Sequence, residues 1–258
     1  MKAGLVSVSF RALPWNEVLA LAERCGLEGV EWGGDVHVPC GDLERARQVG
    51  RATRARGLAC VCYGSYCRLT DGESSDEQLR SLVQTAGTLG APLIRVWAGD
   101  RASADATQAQ RDAIAKNARR LAEIARREGI GLAFEYHGGT LTDDAVSARR
   151  LLEEIDRDDV GCLWQPPVGM SAQDCCAGIR EVRRFVRNVH VFSWSGTAPV
   201  ERFPLAAGAE KWHACLKELS ALPGERWLLL EFVRGDDPGQ LAEDAATLKN
   251  WIAGGWGQ

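Results

Sequence analysis

The chain has 258 residues, of which 45% are hydrophobic and 26% charged, with 31 basic and 35 acidic side chains and a formal net charge of −4. That balance argues against a disordered chain, and the absence of a net positive field argues against non-specific binding to nucleic-acid phosphates. No apolar run approaches the roughly 20 residues of a membrane span, and MKAGLVSVSFRALPW turns polar too early for a secretory leader.

The length fits either two domains or one large architecture such as an α/β barrel. Short apolar runs alternate with amphipathic stretches along the chain. GLVSVSF from Gly4 precedes WNEVLALAERCG, and GVEW from Gly29 precedes DLERARQVGRATRARG. LACVCYG from Leu58 precedes SDEQLRSLVQTAGTLG, and LIRVWAG from Leu93 precedes a charged helix around Asp105 to Arg127. GLAFEYH from Gly131 precedes DDAVSARRLLEEI, and VGCLWQ from Val160 precedes DCCAGIREVRR. VRNVHVFSW from Val186 precedes AEKWHACLKEL, and RWLLLEF from Arg226 precedes GQLAEDAATLKNWI.

These are eight strand–helix pairs at about 32 residues each, close to the roughly 30 of a βαβ unit. The strands are continuous apolar runs, as in a sheet covered on both faces. Gly26, Gly57, Gly90 and Gly129 close helices just before the next strand. The pattern predicts a single (β/α)8 barrel over residues 1–258, with the tail AGGWGQ as a loose end. An open doubly wound sheet is the alternative, but no GxGxxG follows the first strand and no P-loop occurs. The nine cysteines lack any CxxC and read as reduced, partly buried residues of a cytoplasmic protein.

Chemistry in a parallel barrel sits at the C-terminal ends of the strands. The second run ends in Glu31 and Trp32, with His37 in the loop beyond. The fourth carries Arg95 and Trp97, and the fifth ends Glu135, Tyr136, His137. The sixth ends Trp164, Gln165; the seventh carries His190 and Trp194; the eighth ends at Glu231. Two carboxylates and an imidazole converging on one mouth suit Mn²⁺, Mg²⁺, Co²⁺ or Zn²⁺. Taken singly, Glu135 could instead pair with Arg95, and Glu231 with Arg202 or Arg234. Trp32, Trp97, Trp164 and Trp194 are read as an aromatic wall for a sugar-like ligand or, equally, as a plug of the mouth. His37, His137 and Arg202 are candidate contacts to substrate, His37 and Arg202 being about as compatible with solvated loop positions. His213, mid-helix, is read as structural.

The segments GLEGVEW, FEYHGGTLTDD, NVHVFSW and LLLEFVRGD carry a resemblance that runs along nearly the whole chain. The chain resembles the sugar phosphate isomerase/epimerase superfamily of xylose isomerase-like barrels, with tagatose and psicose epimerases, hydroxypyruvate isomerase and inosose dehydratase among its members. The resemblance implies one divalent metal ion held by Glu, Asp, His and Glu from strands five to eight. Glu135, His190 and Glu231 match the first, third and fourth, whereas Gln165 stands where the Asp is expected. A histidine expected three residues further on is Val168, and the arginine expected after strand seven is Arg202. The superfamily also contains nucleases with a three-zinc cluster, but four histidines, Gln165 and the negative charge argue against that chemistry.

The resemblance implies an enzyme acting on a small sugar-like hydroxy-carbonyl compound, with no nucleic acid and no membrane as partner, and is compatible with a homo-oligomer. One of Glu135 and Glu231 would take a proton alpha to the carbonyl, and the other would return it. Glu31, Trp32, His37, Trp97, His137, Trp164, Trp194 and Arg202 would bind substrate. Epimerase and isomerase outcomes share the first step with loss of water by a dehydratase. Because the Gln165 amide is neutral, metal is expected to bind more weakly than to a carboxylate. A non-catalytic sugar-binding or partner barrel with a decayed metal site is the rival reading.

Overall fold

The computed structural model describes residues 1–196 and 199–255, so residues 256–258 of the tail lie outside the described residues. Eight parallel strands close into a barrel: β1 (Lys2–Val6), β2 (Gly29–Gly33), β3 (Ala59–Gly64), β4 (Leu93–Val96), β5 (Gly131–Glu135), β6 (Val160–Trp164), β7 (Val186–Val191) and β10 (Trp227–Leu230). Beyond β7, the two-residue strands β8 (Ser193–Trp194) and β9 (Arg202–Phe203) pair antiparallel, with Trp194 opposite Arg202. Closure comes from β1, which pairs with β2 on one side and β10 on the other. The open-sheet alternative is thereby excluded.

The helices are α1 (Trp15–Arg24), α2 (Leu43–Ala55), α3 (Asp76–Leu89), α4 (Gln108–Arg126), α5 (Ala145–Ile155), α6 (Ala172–Val182), α7 (Ala209–Ser220) and α8 (Pro238–Asn250). Their ends follow the local sequence. Ser75 with Gln78 and Thr107 with Gln110 form capping boxes at α3 and α4, each satisfying orphan N–H groups reciprocally. Gly90 ends α3 at φ 84, a left-handed value that any Cβ would strain.

Most of the apolar core lies between sheet and helices, where Leu19, Val49, Leu89, Leu121, Leu151, Leu216 and Leu248 are buried. A smaller cluster of Val6, Val8, Val61, Cys62 and Leu229, with Leu93 and Trp227 against it, fills the barrel lumen. Side chains alternate along a strand with period two. Leu93 and Leu229 therefore put Arg95 and Glu231, two residues further on, on the inward side at the C-terminal rim. All nine cysteines are unbridged. Among the described residues no helix is long and apolar enough to cross a membrane.

Candidate metal centre

The inward positions at the C-terminal ends of β2, β4, β5, β6, β7 and β10 deliver Glu31, Arg95, Glu135, Gln165, His190 and Glu231 to one place. All six are buried, and Glu31 and His190 are completely so. Burying three carboxylates is costly without compensation. Arg95 supplies part of it: Nη1 reaches Glu135 Oε2 at 2.5 Å and Nε lies 3.3 Å from Glu31 Oε1. The Trp97 indole N–H donates to the same Glu135 Oε2 at 2.6 Å. A Cβ at Gly64 would lie 2.8 Å from Glu31 Oε1 and 3.1 Å from Arg95 Nη2, so a larger residue at the end of β3 would have to displace this pair.

His190 supplies the rest. Its Nε2 lies 3.1 Å from Glu31 Oε2. Its Nδ1 faces Gln165 Oε1 at 3.2 Å and Glu231 Oε2 at 3.0 Å. Burial alone would lower the imidazole pKa, but Glu231 and Glu31 overcome it and raise it to about 10. Burial likewise opposes ionisation of Glu135, but Arg95, His190, Trp97 and His137 outweigh it and hold its pKa below the usual carboxylate range. Three carboxyl groups thus face one guanidinium and one imidazole.

One oxygen from Glu135, one nitrogen from His190 and one oxygen from Glu231 lie within 4.8 Å of one another. Glu231 Oε2 is buried and, among the described residues, meets only His190 Nδ1, at 3.0 Å, so its remaining lone pair has no donor within the cluster. Two carboxylates, an imidazole and an adjacent amide oxygen are hard and borderline donors that suit a divalent first-row ion or Mg²⁺. The residues therefore fit such an ion, and the acceptors that now surround the proton on Nδ1 would surround the cation.

The remaining sequence candidates divide. His137 stays at the rim, its ring stacked on Trp97 with centroids 4.6 Å apart. Its Nδ1 faces the Gly138 carbonyl at 2.7 Å, which places a proton on Nδ1. Glu31 is enclosed between Arg95 and His190 and has no surface left for substrate.

Trp32 and Trp164 do not face the mouth. Glu31 and Gln165 point inward, so the adjacent tryptophans point outward. Trp32 donates its indole N–H to Thr53 Oγ1 of α2 at 3.2 Å, and Trp164 packs edge-on against Trp212 of α7. His37 is 1% exposed with both nitrogens engaged, Nδ1 by Ser7 Oγ at 2.9 Å and Nε2 by the Leu13 carbonyl at 3.1 Å. It braces the first two strand–helix loops. Trp194 is stacked on Phe192, and Arg202 pairs with Asp236 at 2.6 Å. The aromatic wall at the mouth is therefore smaller than expected, and Glu231 meets His190 instead of Arg202 or Arg234. The Arg95–Glu135 pair does form, as part of the cluster. His213 packs against Trp251, in keeping with a structural role.

Tyr66 belongs to the mouth without having been singled out. Arg95 lies 5.2 Å from its ring centroid, and its hydroxyl accepts from Arg11 Nη2 at 2.7 Å. It follows β3 by two residues, a position that the end-of-strand rule could have flagged.

The chain is similar in sequence and fold to known proteins. The sequence profile of the xylose isomerase-like TIM barrel family matches residues 19–251. A 3-dehydroshikimate dehydratase of Bacillus anthracis is 24% identical over 203 residues, which cover 74% of this chain and 71% of the relative. The crystal structure of the probable 3-DHS dehydratase AsbF from Bacillus anthracis superposes with a TM-score of 0.81 at 20% identity, covering 97% of this chain and 99% of that one. D-psicose 3-epimerase, solved in the presence of D-fructose, gives a TM-score of 0.74 at 13% identity over 98% of this chain and 100% of that one.

Proposed function

The chain belongs to the xylose isomerase-like TIM barrel family, and on that premise we propose that it is a divalent-metal-dependent isomerase or epimerase acting on a small hydroxy-carbonyl compound. The observation that carries this is the buried convergence of Glu135, His190 and Glu231, with ligand atoms within 4.8 Å of one another. Glu135, His190 and Glu231 would hold the ion, with Gln165 Oε1 as a neutral neighbour. When bound, the ion would polarise the substrate carbonyl as a Lewis acid.

The chain's own side chains account for the rest. Arg95 and Trp97 fix Glu135 Oε2, which leaves Oε1 toward the centre of the cluster. Glu231 Oε2 faces the same Nδ1 of His190 at 3.0 Å that Glu135 Oε1 faces at 3.9 Å. A proton alpha to the carbonyl would pass to one of these carboxylates and return from the other, on the opposite face or at the neighbouring carbon. His137 Nε2 would hydrogen-bond a substrate hydroxyl, and the ring of Trp97 would lie against the substrate's C–H face.

Elimination is a second reading, favoured by the relatives: both the curated sequence relative and the superposed AsbF are dehydratases by name. It starts from the same abstraction, but hydroxide leaves from the beta carbon with a returned proton, giving water and a C=C bond. Incubating the protein with ketoses and keto-polyols in D2O with Mn²⁺ tests both readings by NMR. Isomerisation or epimerisation shows deuterium at the alpha carbon of recovered sugar, and elimination shows a new vinylic signal. A non-catalytic barrel would show neither, would purify metal-free and would not melt higher with Mn²⁺.

A further inference from the structure

Directly after Glu231 the backbone does something unusual. Phe232 has φ +51, in the left-handed region that an aromatic residue rarely enters. Such a conformation persists only where its surroundings over-determine it. Those surroundings are specific. The Phe232 ring packs edge-on against Phe192 at 5.3 Å and tilted against Trp194 at 4.6 Å. The Arg202 guanidinium lies 5.2 Å from its centroid, and Arg202 is itself tied to Asp236, just downstream of Phe232, at 2.6 Å.

The clamp stands on the two strands that carry ligand candidates. Phe192 follows His190 by two residues, and Phe232 follows Glu231 by one. Trp194 and Arg202 are opposite each other on the β8–β9 hairpin, so the hairpin is docked on this turn. Downstream, the chain is anchored at the start of α8, where Asp237 accepts from the Gly239 and Gln240 N–H groups. Upstream, the Glu231 N–H is held by the Val191 carbonyl at 3.0 Å. Glu231 lies directly between its own N–H bond to Val191 and this turn, so a relaxation of Phe232 toward extended backbone would be felt at Glu231, whose Oε2 sits 3.0 Å from His190 Nδ1.

We propose that Phe232 is a positioning residue: its left-handed backbone, held by the aromatic and arginine contacts of the β8–β9 hairpin, aims the Glu231 carboxylate at His190 and at the ion. This rests on the metal reading of the site. The hairpin thereby becomes a device through which contacts at the mouth can alter the affinity of the centre.

Three variants of the full chain test this: Phe232→Ala, Phe232→Gly and Phe232→Tyr. Mn²⁺ affinity is read by calorimetry, folding by the melting temperature of metal-free protein, and geometry by a metal-free crystal structure of Phe232→Ala. Phe232→Ala is expected to weaken Mn²⁺ binding by about tenfold or more and to move Glu231 Oε2 off its 3.0 Å contact with His190 Nδ1. Phe232→Gly, which holds a positive φ without the ring, should lose less, and Phe232→Tyr should retain wild-type affinity. Lowered melting temperatures with wild-type affinity and an unmoved Glu231 would overturn the proposal. If wild-type protein takes up no Mn²⁺, the metal reading fails separately. The Phe232→Ala crystal then still decides, a displaced Glu231 upholding the positioning role and an unmoved one overturning it.

Discussion

The Gln165 amide donates from Nε2 to Glu135 Oε1 at 3.2 Å, so the residue standing where a carboxylate is expected stabilises the metal-free cluster from within. Gln165→Asp removes that donor and sets a fourth carboxylate against Glu135. Two unit charges about 4 Å apart interact by roughly 4 kcal/mol at an effective dielectric of 20. The metal-free variant should therefore melt below wild type, while Mn²⁺ binding, with one more anionic neighbour, should tighten by at least about tenfold. Calorimetry checks this, and an unchanged affinity would mean that position 165 does not touch the ion.

Arg95 is the only guanidinium among the six cluster residues. Arg95→Met would leave Glu31 and Glu135 buried beside each other without it, and breaking a buried pair in this way costs about 3–5 kcal/mol. For a chain of this size that corresponds to a fall in melting temperature of about 10 °C. Saturating Mn²⁺ should recover part of the loss. A variant melting within a degree or two of wild type would show that the guanidinium does not offset these charges.

The raised His190 pKa gives two pH dependences. The folded value of about 10 lies above the ordinary 6.5. The resulting stabilisation is complete below pH 6.5 and is lost as pH rises toward 10. Metal-free protein should accordingly lose melting temperature across that window, and His190→Gln should not show the same loss. Metal binding must displace the Nδ1 proton, so Mn²⁺ affinity should rise by up to about tenfold per pH unit between pH 6 and 8. Affinity that stays flat over that range would contradict an imidazolium in the metal-free state.

Trp164 and His37 serve the scaffold. Trp164→Ala should cost about 3–5 kcal/mol through the cavity it leaves against Trp212, and His37→Ala about 1–3 kcal/mol through the unpaired Ser7 and Leu13 groups. Both variants should keep wild-type Mn²⁺ affinity in the folded state, as measured by calorimetry well below their melting temperatures. Weakened binding by either would place that side chain closer to the ion than its contacts indicate.

The barrel was legible because each strand is an apolar run closed by a polar residue, and because helices such as α3 end at a glycine that can take φ 84. The convergence of Glu135, His190 and Glu231 follows from the same rule, since all three end or adjoin inward-facing runs. Period two, applied more strictly, would have corrected Trp32 and Trp164: once Glu31 and Gln165 face inward, their neighbours face the helices. Two features lay beyond the sequence. Glu31 meets His190 across 159 residues of chain, and nothing local in GVEW signals that partner. The left-handed turn at Phe232 is imposed by tertiary contacts against the residue's own preference.

The central claim is that Glu135, His190 and Glu231 grip a single divalent cation at the rim of the barrel. Anomalous diffraction from crystals soaked in Mn²⁺ tests it most directly, with Glu135→Gln and Glu231→Gln crystals as controls. One anomalous peak in wild type, within bonding distance of all three side chains and missing or strongly weakened in both variants, is the predicted result. A peak elsewhere, none in wild type, or an undiminished peak in either variant would contradict the account.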